Sequence, residues 1–338
     1  MSAELERIKN GIIERDPRAV ARACRLVDDR NSRRLELLAA LHDRVGHAKT
    51  IGITGTGGAG KSTLVDQLIA VYRKRGLRVA VLAVDPSSPF SGGAILGDRI
   101  RMQRHFLDEG VFIRSLATRG HVGGLSRSVV EVMRIVDAAG FDVVIVETVG
   151  VGQDELEVAN LTDTTVVVLA PGLGDDIQAM KAGILEIADI FVVNKADRRG
   201  ADSTVQDIRQ MLSLRAMRSG AAATSAGHSA AASFRKGPEP VDGRWNTPVL
   251  KTVASEGEGV DELIHACDEH AQHLLTTDEG KLQRSSRQRA LFRSIAQMAW
   301  MEQWLAQNEA KIELFSDEVS ETNLDPFVAA YRLVQNIE

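Results

Sequence analysis
Cysteine is almost missing from this chain. Cys24 and Cys267 are the only two among 338 residues, and they stand far apart. A disulfide framework and a cysteine-built metal site are therefore not expected; a reducing compartment fits, and both thiols read as buried small apolar side chains. Charge of one sign is missing too: 41 basic and 46 acidic residues are mixed along the chain for a net charge of -5. That balance argues against nucleic acid as the main partner. No run of about 18 consecutive apolar residues occurs, so no segment is expected to cross a membrane. The opening Met1-Ser2-Ala3-Glu4-Leu5-Glu6-Arg7 carries early acids and no apolar core, unlike secretory or import segments, and a cytoplasmic location is expected. Histidine forms no dense cluster; His265, His270 and His273 make the one loose group, expected on the exposed side of a helix.

What is present is length enough for one large α/β domain with helical additions. Residues 1–47 read as helices: Val20, Cys24 and Val27 share a face, Leu35, Leu38, Leu41 and Val45 make a second stripe, and Asp16 before Pro17 marks a helix start. Residues 48–275 alternate apolar strands with amphipathic segments. The strands are expected at 50–54, 79–84, 111–114, 143–146, 165–169, 191–193 and 249–253. Most are continuous apolar runs, as strands buried on both faces of a mainly parallel sheet should be. Residues 217–240, rich in Ala, Ser, Gly and Pro and containing His228, read as a mobile surface loop. Residues 276–338 read as a helical arm. Leu291, Ile295 and Met298 lie on one side of its helix, with Trp300 and Trp304 nearly opposite. An arm apolar on two sides is expected to touch a second copy of the chain as well as its own body. Asp325-Pro326 starts a last helix carrying Phe327, Tyr331 and Val334.

The chemistry collects after the strands, where open α/β sheets bind ligands. Gly55-Thr56-Gly57-Gly58-Ala59-Gly60-Lys61-Ser62, followed by Thr63, fits G-x-x-x-x-G-K-[ST] in its strand–loop–helix setting. Small residues let backbone N–H groups curl around a phosphate, Lys61 reaches the β- and γ-phosphates, and the Ser62 hydroxyl ligates Mg²⁺. Asp85, opening Asp85-Pro86-Ser87-Ser88-Pro89, and Asp98 are candidate Mg²⁺ carboxylates. Glu147, at the next strand end, would hold Mg²⁺ through water or orient the attacking water. Gly150 then meets the γ-phosphate in Glu147-Thr148-Val149-Gly150-Val151-Gly152-Gln153, and Gln153 is a second candidate to position water. Asn194-Lys195-Ala196-Asp197 reads guanine: Asp197 accepts from the ring N–H and exocyclic amine, Asn194 reads the other edge, and Lys195 lies over the base. Val253, Ala254 and Ser255 close over it. His121, in the glycine-rich Arg119–Leu125 stretch, is expected to be structural.

Taken together, these motifs resemble the GTPases that chaperone B12-dependent acyl-CoA mutases, the methylmalonyl-CoA mutase-associated or MeaB family, over nearly the whole chain. The resemblance implies a homodimeric P-loop GTPase that binds GTP and GDP with Mg²⁺, gates adenosylcobalamin delivery, and protects or reactivates the mutase. It places the residues matching Asp85, Asp98 and Glu147 around Mg²⁺. It also makes Gly174–Lys181 a further switch, with Gln178 and Lys181 on the catalytic edge of the sheet. Two departures leave the partner open between methylmalonyl-CoA and isobutyryl-CoA mutase types. Gly57 stands where family members commonly carry Pro, and the 217–240 loop is long. Two alternatives are a nickel-insertion maturation GTPase and a P-loop kinase of a small metabolite.

Overall fold
The computed structural model describes residues 1–85, 102–117, 127–148, 154–172, 186–218, 244–322 and 324–335. Asp98, Gly150, Gln153, Gln178, Lys181, His121, His228 and the 217–240 loop beyond residue 218 lie outside them, as does the Asp85 side chain. Contacts within the chain divide it into two units, residues 1–287 and 288–338.

The first unit is built on seven strands: β1 (Lys49–Gly55), β2 (Val79–Asp85), β3 (Val111–Ala117), β4 (Val143–Thr148), β5 (Thr164–Leu169), β6 (Ile190–Asn194) and β7 (Val249–Thr252). They form one sheet in the order β3-β2-β4-β1-β5-β6-β7, and every pair is parallel. Central strands are buried on both sides, and the pleat sends alternate residues to opposite faces. Ala80, Leu82, Val84, Val144 and Val146 point into one core, while Ile51, Ile53, Val79, Val81, Val143 and Ile145 point into the other.

The first face is covered by α1 (Ala3–Ile13), α2 (Pro17–Asp28), α3 (Arg34–Ala40), α5 (Arg127–Ala138) and α6 (Asp154–Leu161). The N-terminal helices thus complete the main core. Asp16 caps α2 through Arg18 N at 2.9 Å, with Pro17 at the first helical position, and Val20, Cys24 and Val27 are buried as expected. In α3 the buried side chains are Arg34, Leu37 and Leu38, with Leu41 buried just after it, while Leu35 is exposed. Of the expected stripe Leu38 and Leu41 are in the core and Val45 packs against it; Leu35 departs because it lies off the helix face through 34, 37, 38 and 41. An ion pair between Arg34 and Glu131, 3.3 Å apart and largely buried, joins α3 to α5.

The opposite face is covered by α4 (Lys61–Lys74), through Leu64, Val65, Leu68, Ile69 and Tyr72, and by α8 (Val260–Thr276). A third cluster packs α7 (Ala201–Arg218) on β5 and β6. Both cysteines are buried, and burial pushes each thiol up to about 12.

Helix α9 (Asp278–Thr322) begins in the first unit and runs 45 residues; α10 (Pro326–Gln335) follows in the second unit, its first turn capped by Asp325 through Phe327 N at 2.9 Å. In the second unit Leu291, Ile295 and Met298 are half-buried, whereas Phe292, Trp300, Leu305, Leu314, Phe327, Tyr331 and Val334 are exposed. No described helix is long and apolar enough to cross a membrane.

Candidate nucleotide site
The carboxyl ends of β1, β4, β6 and β7 converge, and the loop after β1 is shaped by glycine. Gly55 has φ +130°, and a Cβ there would lie 2.0 Å from the Val168 carbonyl oxygen on β5. Gly60 has φ +90° and would bring a Cβ to 2.5 Å from Asn194 Nδ2. At Gly55 the neighbouring backbone excludes a side chain, and at Gly60 the left-handed φ and the Asn194 amide oppose one. Gly57 is different: nothing lies within 4 Å of its Cβ position and its φ is not left-handed, so the loop does not require glycine there.

Gly60 precedes α4 without any side-chain cap, so the helix offers its first-turn amides, and the positive end of its dipole, to the loop. Lys61 is buried and donates from Nζ to the carbonyls of Gly55 at 2.9 Å and Thr56 at 3.0 Å, curling the loop around its own amine. Thr56 Oγ1 is buried with no hydrogen-bond partner among the described residues. At the second residue of the helix, the Ser62 hydroxyl donates to Glu147 Oε1 at 2.8 Å. Glu147 is placed there by register, pairing with Ile53 across β1 and β4, and it is 1% exposed. A hydroxyl and a carboxylate gathered beside a phosphate-shaped loop, with no soft ligand, suit a hard divalent cation that keeps much of its water. Thr148 follows and donates to Thr54 Oγ1 at 2.9 Å, tying the exit of β4 to the entry of the loop.

The segment after β6 clasps the same loop. Asn194 donates from Nδ2 to the Ala59 carbonyl at 2.8 Å, and its Oδ1 accepts from Thr252 Oγ1 and from Ala254 N, each at 3.0 Å. Lys195, in the left-handed region at φ +57°, donates to the Gly58 carbonyl at 2.6 Å. Asn194 thus spends both lone pairs and one N–H on the protein, leaving a single amide N–H for the base-reading expected of it. Asp197 is exposed in the turn that follows, with Ser255 exposed and Val253 and Ala254 buried.

Lys61, Ser62, Glu147, Asn194, Lys195 and the 253–255 turn are therefore brought together, as is the end of β2 at Asp85. Thr54, Thr148 and Thr252 were not singled out in the sequence. Each sits at a strand terminus beside a motif residue, a position that would have pointed to them. The histidine group also differs from expectation. His265 is exposed, but His270 is wholly buried, because its face of α8 packs on the amino ends of β5 and β6. Its Nδ1 meets Thr164 Oγ1 at 2.9 Å and its Nε2 lies 3.3 Å from Asp189 Oδ1. Burial lowers the imidazole to about 4 against the pull of Asp189, so it is neutral.

Known proteins share this arrangement along its whole length. A family profile described as methylmalonyl Co-A mutase-associated GTPase MeaB matches residues 20–309. A protein of Pyrococcus horikoshii named as a GTPase is 44% identical over 337 residues, covering 98% of this chain and 97% of that one. The GTPase ArgK of Escherichia coli is 38% identical over 298 residues, covering 86% of this chain and 81% of ArgK. The crystal structure of a LAO/AO transport system kinase aligns with TM-score 0.66 at 28% identity, covering 100% of this chain and 98% of that chain. With the glycine-shaped loop, the Ser62–Glu147 pair and the Asn194 clasp on one edge of a parallel sheet, and with relatives matched from end to end, this chain belongs to the MeaB family of methylmalonyl-CoA mutase-associated GTPases.

Proposed function
We propose that this GTPase serves an adenosylcobalamin-dependent acyl-CoA mutase of the methylmalonyl-CoA or isobutyryl-CoA type, using GTP hydrolysis to control cofactor delivery and to protect or reactivate the mutase. The observation that carries the proposal is the family match over residues 20–309, a family described by its association with methylmalonyl-CoA mutase.

In this reading the loop amides of 55–62 and Lys61 hold the phosphates. Lys61 exchanges the Gly55 and Thr56 carbonyls for phosphate oxygens, so binding loosens its present wrap. Ser62 and Glu147 hold Mg²⁺ with Asp85 and Asp98; when bound, the ion neutralises charge developing on the transferred phosphoryl. Glu147 would also orient the attacking water. Gly150, Gln153, Gln178 and Lys181 are assigned to the switches that sense the γ-phosphate. Asp197, with Asn194, Lys195, Val253, Ala254 and Ser255, selects guanine. The arm over residues 276–338 pairs two copies of the chain.

The test is co-purification of a cobalamin-dependent acyl-CoA mutase on the immobilised protein, comparing a GTP analogue with GDP. Nucleotide-dependent retention and a faster GTPase in its presence support the reading. A mutase that neither binds nor changes the GTPase overturns it. Asp197→Asn is expected to shift preference from guanine towards xanthine nucleotides, since it removes a charged acceptor for two base donors. An unchanged GTP preference would remove Asp197 from the site. One relative carries the name kinase, so the γ-phosphate is followed as well: transfer to water supports hydrolysis, and transfer to a metabolite would favour the kinase alternative.

A further inference from the structure
At the amino ends of β2, β3 and β4, on the edge of the sheet opposite the nucleotide loop, lies a cavity of about 200 Å³. Its inner wall is apolar: Val20, Val111, Phe112 and Phe141, the two rings 6.0 Å apart. Two cations, Arg15 and Arg78, share the lining, and Phe106 and Leu107 form the rim, Leu107 being 97% exposed.

The cations are set in different ways. Arg78 is fixed: Nη1 donates to the carbonyls of Ala139 at 2.7 Å and Gly140 at 3.1 Å, and Cζ stacks 4.2 Å from the Phe141 ring centroid. Its Nε and Nη2 have no hydrogen-bond partner among the described residues. Arg15 makes no hydrogen bond or ion pair through its guanidinium among the described residues, although its Nε lies 3.3 Å from where a Cβ on Gly140 would sit. The two guanidinium groups feel each other: the basicity of Arg78 is lowered by burial and next by Arg15, with Asp142 opposing them in part. Like charges lining one apolar recess call for an anion between them.

The acids in and beside the lining answer only part of that charge. Asp108 is held by Arg73 at 2.9 and 2.8 Å and by Gly110 N at 2.8 Å. Asp142 accepts from the Arg78 backbone N–H at 2.7 Å, which keeps it beside the main chain of Arg78, and Glu109 is exposed at the rim. The backbone points the same way. Arg15 occupies the left-handed position after α1 at φ +66°, with Asp16 N bonded to Gly11 O at 2.8 Å, the place in a helix stop where glycine is preferred. The chain accepts strain there and gains a guanidinium over the cavity.

We propose that this cavity binds a small organic anion, a carboxylate or phosphate ester on an aromatic body, the anionic group bridging Arg15 and Arg78 and the body resting on Phe112 and Phe141 under the Leu107 rim.

The test uses full-length protein saturated with GDP and Mg²⁺, so that the nucleotide loop is filled, titrated calorimetrically with phenyl phosphate and phenylacetate, and with inorganic phosphate and acetate as bodiless controls. At least one aromatic anion is expected to bind tenfold or more tightly than its control, and which one binds identifies the anionic group. Arg15→Gly is expected to weaken that binding tenfold or more while leaving the thermal midpoint unchanged or raised, because glycine relieves the left-handed strain. Leu107→Asp, which places a like charge at the rim, is expected to weaken it too, with GDP affinity intact in both variants. Failure of both aromatic anions to bind, controls that bind equally well, or Arg15→Gly binding like the wild type would each overturn the proposal.

Discussion

At the scale of single residues, Asn194 connects more of the site than any charged group. Its amide joins the phosphate loop, the end of β6 and the end of β7 through three hydrogen bonds of 2.8 to 3.0 Å. Asn194→Ala leaves Ala59 O, Thr252 and Ala254 N without those partners in a buried place, at about 1 to 3 kcal/mol. Calorimetric titration with GDP is expected to show at least tenfold weaker binding, and chemical denaturation a loss of that size. His270 sets a pH dependence. The unfolded chain takes up its proton near the ordinary 6.5, whereas the folded chain refuses it until about 4, because burial outweighs the attraction of Asp189 and is aided by Arg287 and His273. The stability is therefore present above the ordinary histidine range and drains as pH falls through that window, by on the order of 3 kcal/mol at the acid end. Unfolding curves at pH 7, 5.5 and 4.5 should show the decline, and His270→Asn should flatten it; an equal slope in the variant removes His270 as the cause.

At the scale of elements, the amino end of β6 is bolted to the start of the long helix α9. The Asp189 carboxylate receives Thr165 N at 2.8 Å, Gln283 Nε2 at 3.2 Å and Arg287 Nη2 at 2.9 and 2.8 Å. The Asp189 carbonyl accepts the Trp245 indole N–H at 2.8 Å, and that ring packs 4.7 Å from His270. Strands β5 and β6, helix α8 and the first three turns of α9 thus share one buried acid. Arg287→Ala strands it, and breaking a buried pair costs about 3 to 5 kcal/mol. Urea denaturation is expected to register that loss, while GDP affinity, set on the opposite edge of the sheet, holds. Lysine at 287 should restore only part, since one ammonium cannot reach both the Asp189 carboxylate, which Nη2 holds, and the Asp163 carbonyl, which Nη1 holds.

At the scale of the whole molecule, the second unit carries Phe292, Trp300, Leu305, Leu314, Phe327, Tyr331 and Val334 exposed on only two helices. An apolar surface of that extent is what a second protein surface covers. With the proposed pairing of two copies, Trp300→Glu, which keeps helix propensity and adds a charge to the apolar face, should convert a dimer to a monomer by sedimentation velocity without loss of helical signal. A wild-type protein that sediments as a monomer, or a variant that stays dimeric, would assign the arm another partner.

The sequence by itself determined the parallel sheet, the glycine-shaped loop after β1 and the residues at the end of β6 that meet it. Short, β-branched apolar runs such as Val143–Val146 favour strands buried on both faces, and Gly55 and Gly60 have φ values that side chains rarely adopt. Those signals are local, carried within a few neighbouring residues. The tertiary structure decided what depends on residues distant in the chain. It turned His270 from an expected surface residue into a buried neutral one, because α8 lies on β5 and β6. It put Leu37 rather than Leu35 in the core, because the buried face of α3 runs through Arg34, Leu37 and Leu38. It also spent Asn194 on the phosphate loop, 135 positions away. Burial and hydrogen-bond partners are properties of packing, and packing is settled only when distant segments meet.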